Sequence, residues 1–137
     1  MAGINARLPL SIDDIDGAYA LIRDYKEAVK QNLNSIILTS PGERIWSPNF
    51  GVGIRKRLFE QLTDYEIFSI RQAIEDQVRR YAPYVSLTKV EVYKISDLVT
   101  GESEKEQQAN SLLVQLEYDV EISSTRFKDS LQLEVIQ

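Results

Sequence analysis

Twenty-one Asp and Glu residues are the plainest source of acid–base chemistry in this 137-residue chain, which has no His and no Cys. Glycoside hydrolysis would need two such carboxylates roughly 5 to 10 Å apart in a cleft, one with a raised pKa. Most of the acids fall on predicted solvent faces, at helix starts, or in the polar stretch Asp97 to Asn110. Glu43 and Glu60 are the exceptions, because both sit in a turn region dense in Gly and Pro. Acids in such places more often make salt bridges or backbone contacts than perform catalysis. Without His or Cys there is no imidazole base, thiolate nucleophile, disulfide framework or ordinary zinc site. Gly51-Val52-Gly53 lacks the third glycine of a dinucleotide loop, and no Gly-x-x-x-x-Gly-Lys phosphate loop occurs. The expectation is a protein with no catalytic residues, no metal and no cofactor.

Binding chemistry is the better reading. A net charge of -5 argues against a surface built to coat nucleic acid. Arg55-Lys56-Arg57 and Arg79-Arg80 are short basic clusters, but neither alternates with aromatics as a stacking platform would. A solvated face or a protein contact suits them better. Seven Tyr are many for this length, and Tyr couples apolar area to a hydroxyl, as interfaces and core borders both use. No apolar run approaches the roughly 18 residues of a membrane helix, and Met1 to Leu10 lacks a basic-then-apolar leader. Neither membrane insertion nor a nucleic-acid partner is expected, and synthesis is expected in a cytoplasm.

Positioning such a surface requires a folded domain, and 43% hydrophobic with 27% charged residues is the composition of one. Residues 1–23 show no sustained period and read as an irregular arm, with a short strand at Ala18 to Ile22 after the Asp16-Gly17 turn. Residues 24–137 read as a single domain. Asp24 heads a helix whose apolar residues Tyr25, Ala28, Val29, Leu33, Ile36 and Ile37 recur at three- and four-residue steps, and Ser40-Pro41-Gly42 ends it. Arg44 to Pro48 reads as a short extended piece, followed by the turn Asn49 to Gly53 and one or two helical turns over Ile54 to Phe59. Thr63 and Glu66 form a capping box before a long helix with the stripe Ile67, Ile70, Ile74, Val78 and Tyr81, stopped at Pro83.

From Val85 the period becomes two. Val85 and Leu87 are out of phase with Val90 and Val92, which predicts a bulge near Thr88. Leu112 to Ile122 alternates without a break, and Phe127, Leu131, Leu133 and Val135 repeat the pattern. A polar connection, Asp97 to Asn110, is too long for a tight turn and is expected to be mobile. Helices followed by a three-strand meander predict an α+β, two-layer domain, with helices on one face of a small antiparallel sheet.

Three pieces then line up in order: Pro41-Gly42-Glu43-Arg44, Pro48-Asn49-Phe50-Gly51-Val52-Gly53-Ile54-Arg55, and Leu58-Phe59-Glu60. In type and spacing they resemble the small baseplate wedge protein, or sheath initiator, of contractile-tailed bacteriophages. The related baseplate subunit of type VI secretion systems belongs to the same family, part of which is labelled lysozyme-like. The resemblance implies a structural subunit of a tail baseplate or equivalent contractile particle, assembled in the bacterial cytoplasm and present in six copies or a multiple around the tube. It implies as partners the tail sheath protein, other wedge subunits, and tube or hub proteins. Sheath arms would add as strands to an edge of its sheet, with the C-terminal strand the expected acceptor.

Pro41, Gly42, Glu43, Arg44, Pro48, Phe50, Gly51, Gly53, Arg55, Leu58, Phe59, Glu60, Pro83 and Tyr84 are the candidate interface or scaffold residues. Phe50, Leu58 and Phe59 are expected to anchor the turn region to the helices. Many members of the family carry Glu-Pro-Arg after the long helix, where this chain has Ala82-Pro83-Tyr84. Two other classes stay open. A peptidoglycan hydrolase is disfavoured, because the Glu with an Asp nine residues on that marks phage-type muramidases is missing. A regulatory module like the anti-adaptor that shields a sigma factor shares the fold, and gene neighbourhood would separate it from a baseplate protein.

Overall fold

A computed structural model describes residues 3–98 and 111–136. Helix α1 (Tyr25–Leu38) contains the boundary between two compact units, Met1–Asn34 and Ser35–Gln137.

In the first unit, strand β1 (Asn5–Ala6) pairs antiparallel with β2 (Leu21–Ile22). The lead-in therefore carries a strand of its own, too short to leave a period in the sequence. Gln31 of α1 holds the segment after β1, donating to the Ala6 carbonyl and accepting from the Leu8 N–H, both at 2.9 Å. Asp24 accepts from the Lys26 N–H at 3.2 Å and so caps the first turn of α1. Ile22, Ala28, Val29 and Leu33 are buried.

In the second unit, the short helix α2 (Ile54–Arg57) precedes α3 (Asp64–Tyr81). Thr63 caps α3 as its sequence predicts, accepting from the Glu66 N–H at 3.2 Å. Glu66 does not complete the reciprocal half of the capping box, because its carboxylate takes the Arg57 guanidinium at 2.6 Å instead. That ion pair, with Arg57 also donating to Ser69 at 3.1 Å, ties α2 to α3. Ala82 caps the far end by donating to the Val78 carbonyl, and Pro83 prevents continuation.

Strands β3 (Val85–Lys94), β4 (Leu112–Ile122) and β5 (Thr125–Val135) form an antiparallel meander in the order β3-β4-β5. A four-residue helix, α4 (Ile95–Leu98), follows β3. Beyond Leu98 the polar connection expected to be mobile lies outside the described residues. The β3–β4 register slips between Leu87 and Lys89, the bulge predicted from the phase change at Thr88. Leu112, Val114, Leu116, Tyr118 and Val120 of β4 are buried while Glu117 and Glu121 are exposed, so one face of the sheet is covered. Helix α3 packs against β3 and buries Ile70, Ile74 and Val78, giving the α+β two-layer arrangement.

Candidate functional site

The turn region starts where α1 runs out of helix. Ser40 to Glu43 is a tight turn with Pro41 at its second position and Gly42 at its third, where φ is +91°. That pairing defines a type II turn, whose third residue must adopt the left-handed region. Glu43 closes it twice: its N–H donates to the Ser40 carbonyl, and its carboxylate accepts from the Ser40 N–H, both at 3.1 Å. Glu43 is thus committed to backbone. Gly42 N–H donates to the Pro48 carbonyl at 2.7 Å and closes a loop bearing Ile45 and Trp46. Arg44 to Pro48, expected to be extended, is bent because both loop ends are tied. Trp46 is 95% exposed.

The chain next returns beneath the end of α1. Val52 N–H donates to Ile36 and Gly53 N–H to Thr39, each at 2.9 Å, supplying donors to carbonyls that a helix C-terminus leaves open. Gly51 has φ +104°, and a Cβ there would sit 2.0 Å from the Thr39 carbonyl oxygen. Only glycine fits that approach. Gln77 of α3 accepts from Gly51 N–H at 2.8 Å and donates to the Asn49 carbonyl at 3.1 Å. Between them Phe50 is buried, with the Arg44 guanidinium 3.8 Å above its ring centre and Tyr81 edge-on at 4.8 Å. Arg44 also donates to the Ser35 hydroxyl at 3.0 Å.

The candidate residues therefore divide by what they touch. Pro41, Gly42, Glu43, Arg44, Pro48, Phe50, Gly51 and Gly53 form one hydrogen-bonded and stacked cluster. Leu58 is 1% exposed and anchors the segment as expected. Phe59 does not, being 74% exposed. The reason is local: Leu58 takes the inward position after the four-residue α2, and its neighbour turns outward. Arg55 and Glu60 are also exposed. Pro83 is exposed at the end of α3, where a cleft of about 490 Å³ is lined by Glu75, Val78, Arg79, Pro83 and the bulged part of β3. Tyr84 accepts from the Glu121 N–H at 3.1 Å through its backbone carbonyl. Tyr81, two residues before Pro83, joins this corner to the turn region through Phe50.

The sequence does not single out Gln77, which fixes the cluster, and it marks Arg57 only as part of a basic cluster, whereas Arg57 ties α2 to α3. Among the described residues no group of three or more acidic side chains could hold a metal ion. Of the two acids in the turn region, Glu43 holds a turn and Glu60 faces solvent.

In this small α+β domain Glu43 and Arg44 spend their polarity on the turn and on the end of α1, while Arg55 and Glu60 face solvent. Residues 23–125 match the family model described as baseplate wedge protein gp25, and the chain belongs to that family. It is 33% identical over 70 residues to baseplate wedge protein gp25 of Enterobacteria phage T4, a match covering 51% of this chain and 53% of that relative. The chain therefore matches about half the length of this relative. The structure resembles a chain of the anti-feeding prophage baseplate with a TM-score of 0.65 and 26% identity, over 87% of this chain and 86% of that one. A chain from Geobacter sulfurreducens, provisionally named a tail lysozyme, shares the fold with a TM-score of 0.60 at 22% identity, over 86% of this chain and 97% of that one.

Proposed function

We propose that the chain is a structural subunit of the baseplate of a contractile tail or injection machine, and that it starts sheath assembly by adding extended arms of the sheath protein to the edge of β5. The observation that carries this reading is the form of β5. It is eleven residues long, pairs with β4 without a register break, and has no partner on its other side among the described residues. An open edge of this kind presents unpaired backbone groups that an added strand satisfies.

The pleat tells which residues would do so. Glu121 N–H donates to Tyr84 and Ser111 accepts from Ile95, so the odd-numbered residues of β4 bond towards β3 and the even-numbered ones towards β5. With Tyr118 opposite Asp129 and Val114 opposite Leu133, the odd residues of β5 point their N–H groups inward. Arg126, Lys128, Ser130, Gln132 and Glu134 point theirs outward. The other edge is less suitable, because β3 carries the bulge at Thr88 and bulges blunt an edge.

The exposed Trp46, Phe59 and Arg55, together with Pro83 and Tyr84, are the surfaces offered to neighbouring wedge, tube or hub subunits. Baseplates built with six copies or a multiple around the tube, in the bacterial cytoplasm, fit this role, as does an absence of catalysis. Electron microscopy of baseplates assembled with and without the chain tests it: sheath should fail to start on baseplates that lack it. Clearing of peptidoglycan by the purified chain would favour a hydrolase instead.

A further inference from the structure

The covered face of β5 reads Phe127, Asp129, Leu131, Leu133, Val135, so a single charge breaks an apolar row. Asp129 lies directly across from Tyr118, which is 1% exposed and whose hydroxyl has no hydrogen-bond partner. Burial first, and the negative charge of Asp129 second, push the Tyr118 hydroxyl up to about 12. At the edge, Asp129 accepts from the N–H of Ser130 at 2.8 Å. Ser130 is one of the five residues of β5 whose N–H faces outward, so the bond occupies a donor that a strand arriving at this edge would need.

We infer that Asp129 is an edge gate, which withholds the Ser130 N–H and confines strand addition on β5 to the segment from Leu131 onward. Inward-pointing charge on an edge strand is a known way to prevent edge-to-edge pairing of identical chains. Lys128 beside it, fully on the exposed face, adds to the effect. The open part then presents the outward N–H groups of Gln132 and Glu134, next to the apolar side chains of Leu131, Leu133 and Val135. The strand it takes is a short extended segment of a sheath subunit that alternates apolar and polar side chains in the same phase. A second copy of β5 is the occupant that the gate rejects. The identity of the admitted strand rests on the proposed sheath function, but the gate itself does not.

Two measurements on the full chain test it. Amide exchange followed by NMR should show the Ser130 N–H at least about tenfold slower than that of Gln132, and Asp129→Ala should remove the difference. Equal exchange of the two amides in the unmodified chain overturns the gate. In sedimentation velocity the unmodified chain should remain monomeric. Asp129→Val should self-associate at least about tenfold more tightly, as gaining a hydrogen bond and an apolar contact implies. Adding Ser130→Pro to that variant should return it to monomer by removing the released donor. A folded Asp129→Val that stays monomeric, or a dimer that persists with Ser130→Pro, overturns the gate. Either of those results leaves the sheath reading standing, because that reading depends on Gln132 and Glu134.

Discussion

Gln77 accepts a hydrogen bond from the Gly51 N–H at 2.8 Å, and through its amide nitrogen it donates to the carbonyl of Asn49 at 3.1 Å. One side chain of α3 thereby does for the two peptides flanking Phe50 what a neighbouring strand would do. A hydrogen bond of this kind contributes about 0.5 to 1.5 kcal/mol net. The clamp is what lets a loop of the glycine-rich turn lie against a helix without a sheet to pair with.

Gln77→Ala should accordingly destabilise the fold by about 0.5 to 1.5 kcal/mol. Gly51→Val should cost about 3 kcal/mol or more, since it combines a φ of +104° with a Cβ 2.0 Å from a backbone oxygen that has little freedom to move. Urea unfolding followed by circular dichroism measures both. Equal stability of Gly51→Val and the unmodified chain would mean that the turn relaxes freely.

Leu58 and Phe59 make a contrasting pair. Leu58→Ala should cost about 2 to 5 kcal/mol, as for a fully buried leucine. Phe59→Ala should change stability by no more than about 0.5 kcal/mol, since its ring is mostly in solvent. If Phe59 serves as a contact with a neighbouring subunit, its variant folds normally and is under-incorporated into baseplates, a difference seen by comparing melting with baseplate composition.

Tyr118 gives a pH prediction. Its folded pKa lies near 12, against 10.0 for an unperturbed tyrosine, so the fold favours the neutral phenol. The associated stability is fully present below about pH 10 and is lost as pH rises through about 12. Tyr118→Phe should flatten the alkaline fall in denaturation midpoint across this window. Asp129→Asn should shift the late-titrating tyrosine, followed by absorbance, towards lower pH. An alkaline profile unchanged in Tyr118→Phe would place the pH sensitivity elsewhere.

Much of this architecture was readable in the sequence where one period governs a whole element. The alternation of Leu112 to Ile122 marked a half-buried strand, and the phase jump between Leu87 and Val90 marked the bulge. Thr63 announced the start of α3. What was not readable depends on partners distant in the chain. Glu66 looks like half of a capping box until Arg57 is beside it. Gln77 looks like an ordinary helix polar residue until Asn49 and Gly51 arrive 28 and 26 residues away in sequence. Phe59 looks like core because it is apolar next to Leu58, but α2 is too short to hold a second apolar face inward. Asp129 occupies a place in the row from Phe127 to Val135 that the sequence pattern passes over, and its use depends on which way Ser130 points.

At the edge of β5 the pleat separates two proline variants. Gln132→Pro removes an outward N–H and leaves the β4–β5 ladder intact, whereas Leu133→Pro removes a donor that faces Val114 and should weaken the fold itself. The decisive measurement is sheath growth on baseplates assembled with Gln132→Pro, counted by electron microscopy alongside baseplates carrying the unmodified chain. The strand-addition mechanism predicts baseplates that contain the folded variant but carry no sheath, or far less of it. Sheath starting at the normal frequency on baseplates shown to contain folded Gln132→Pro would contradict it.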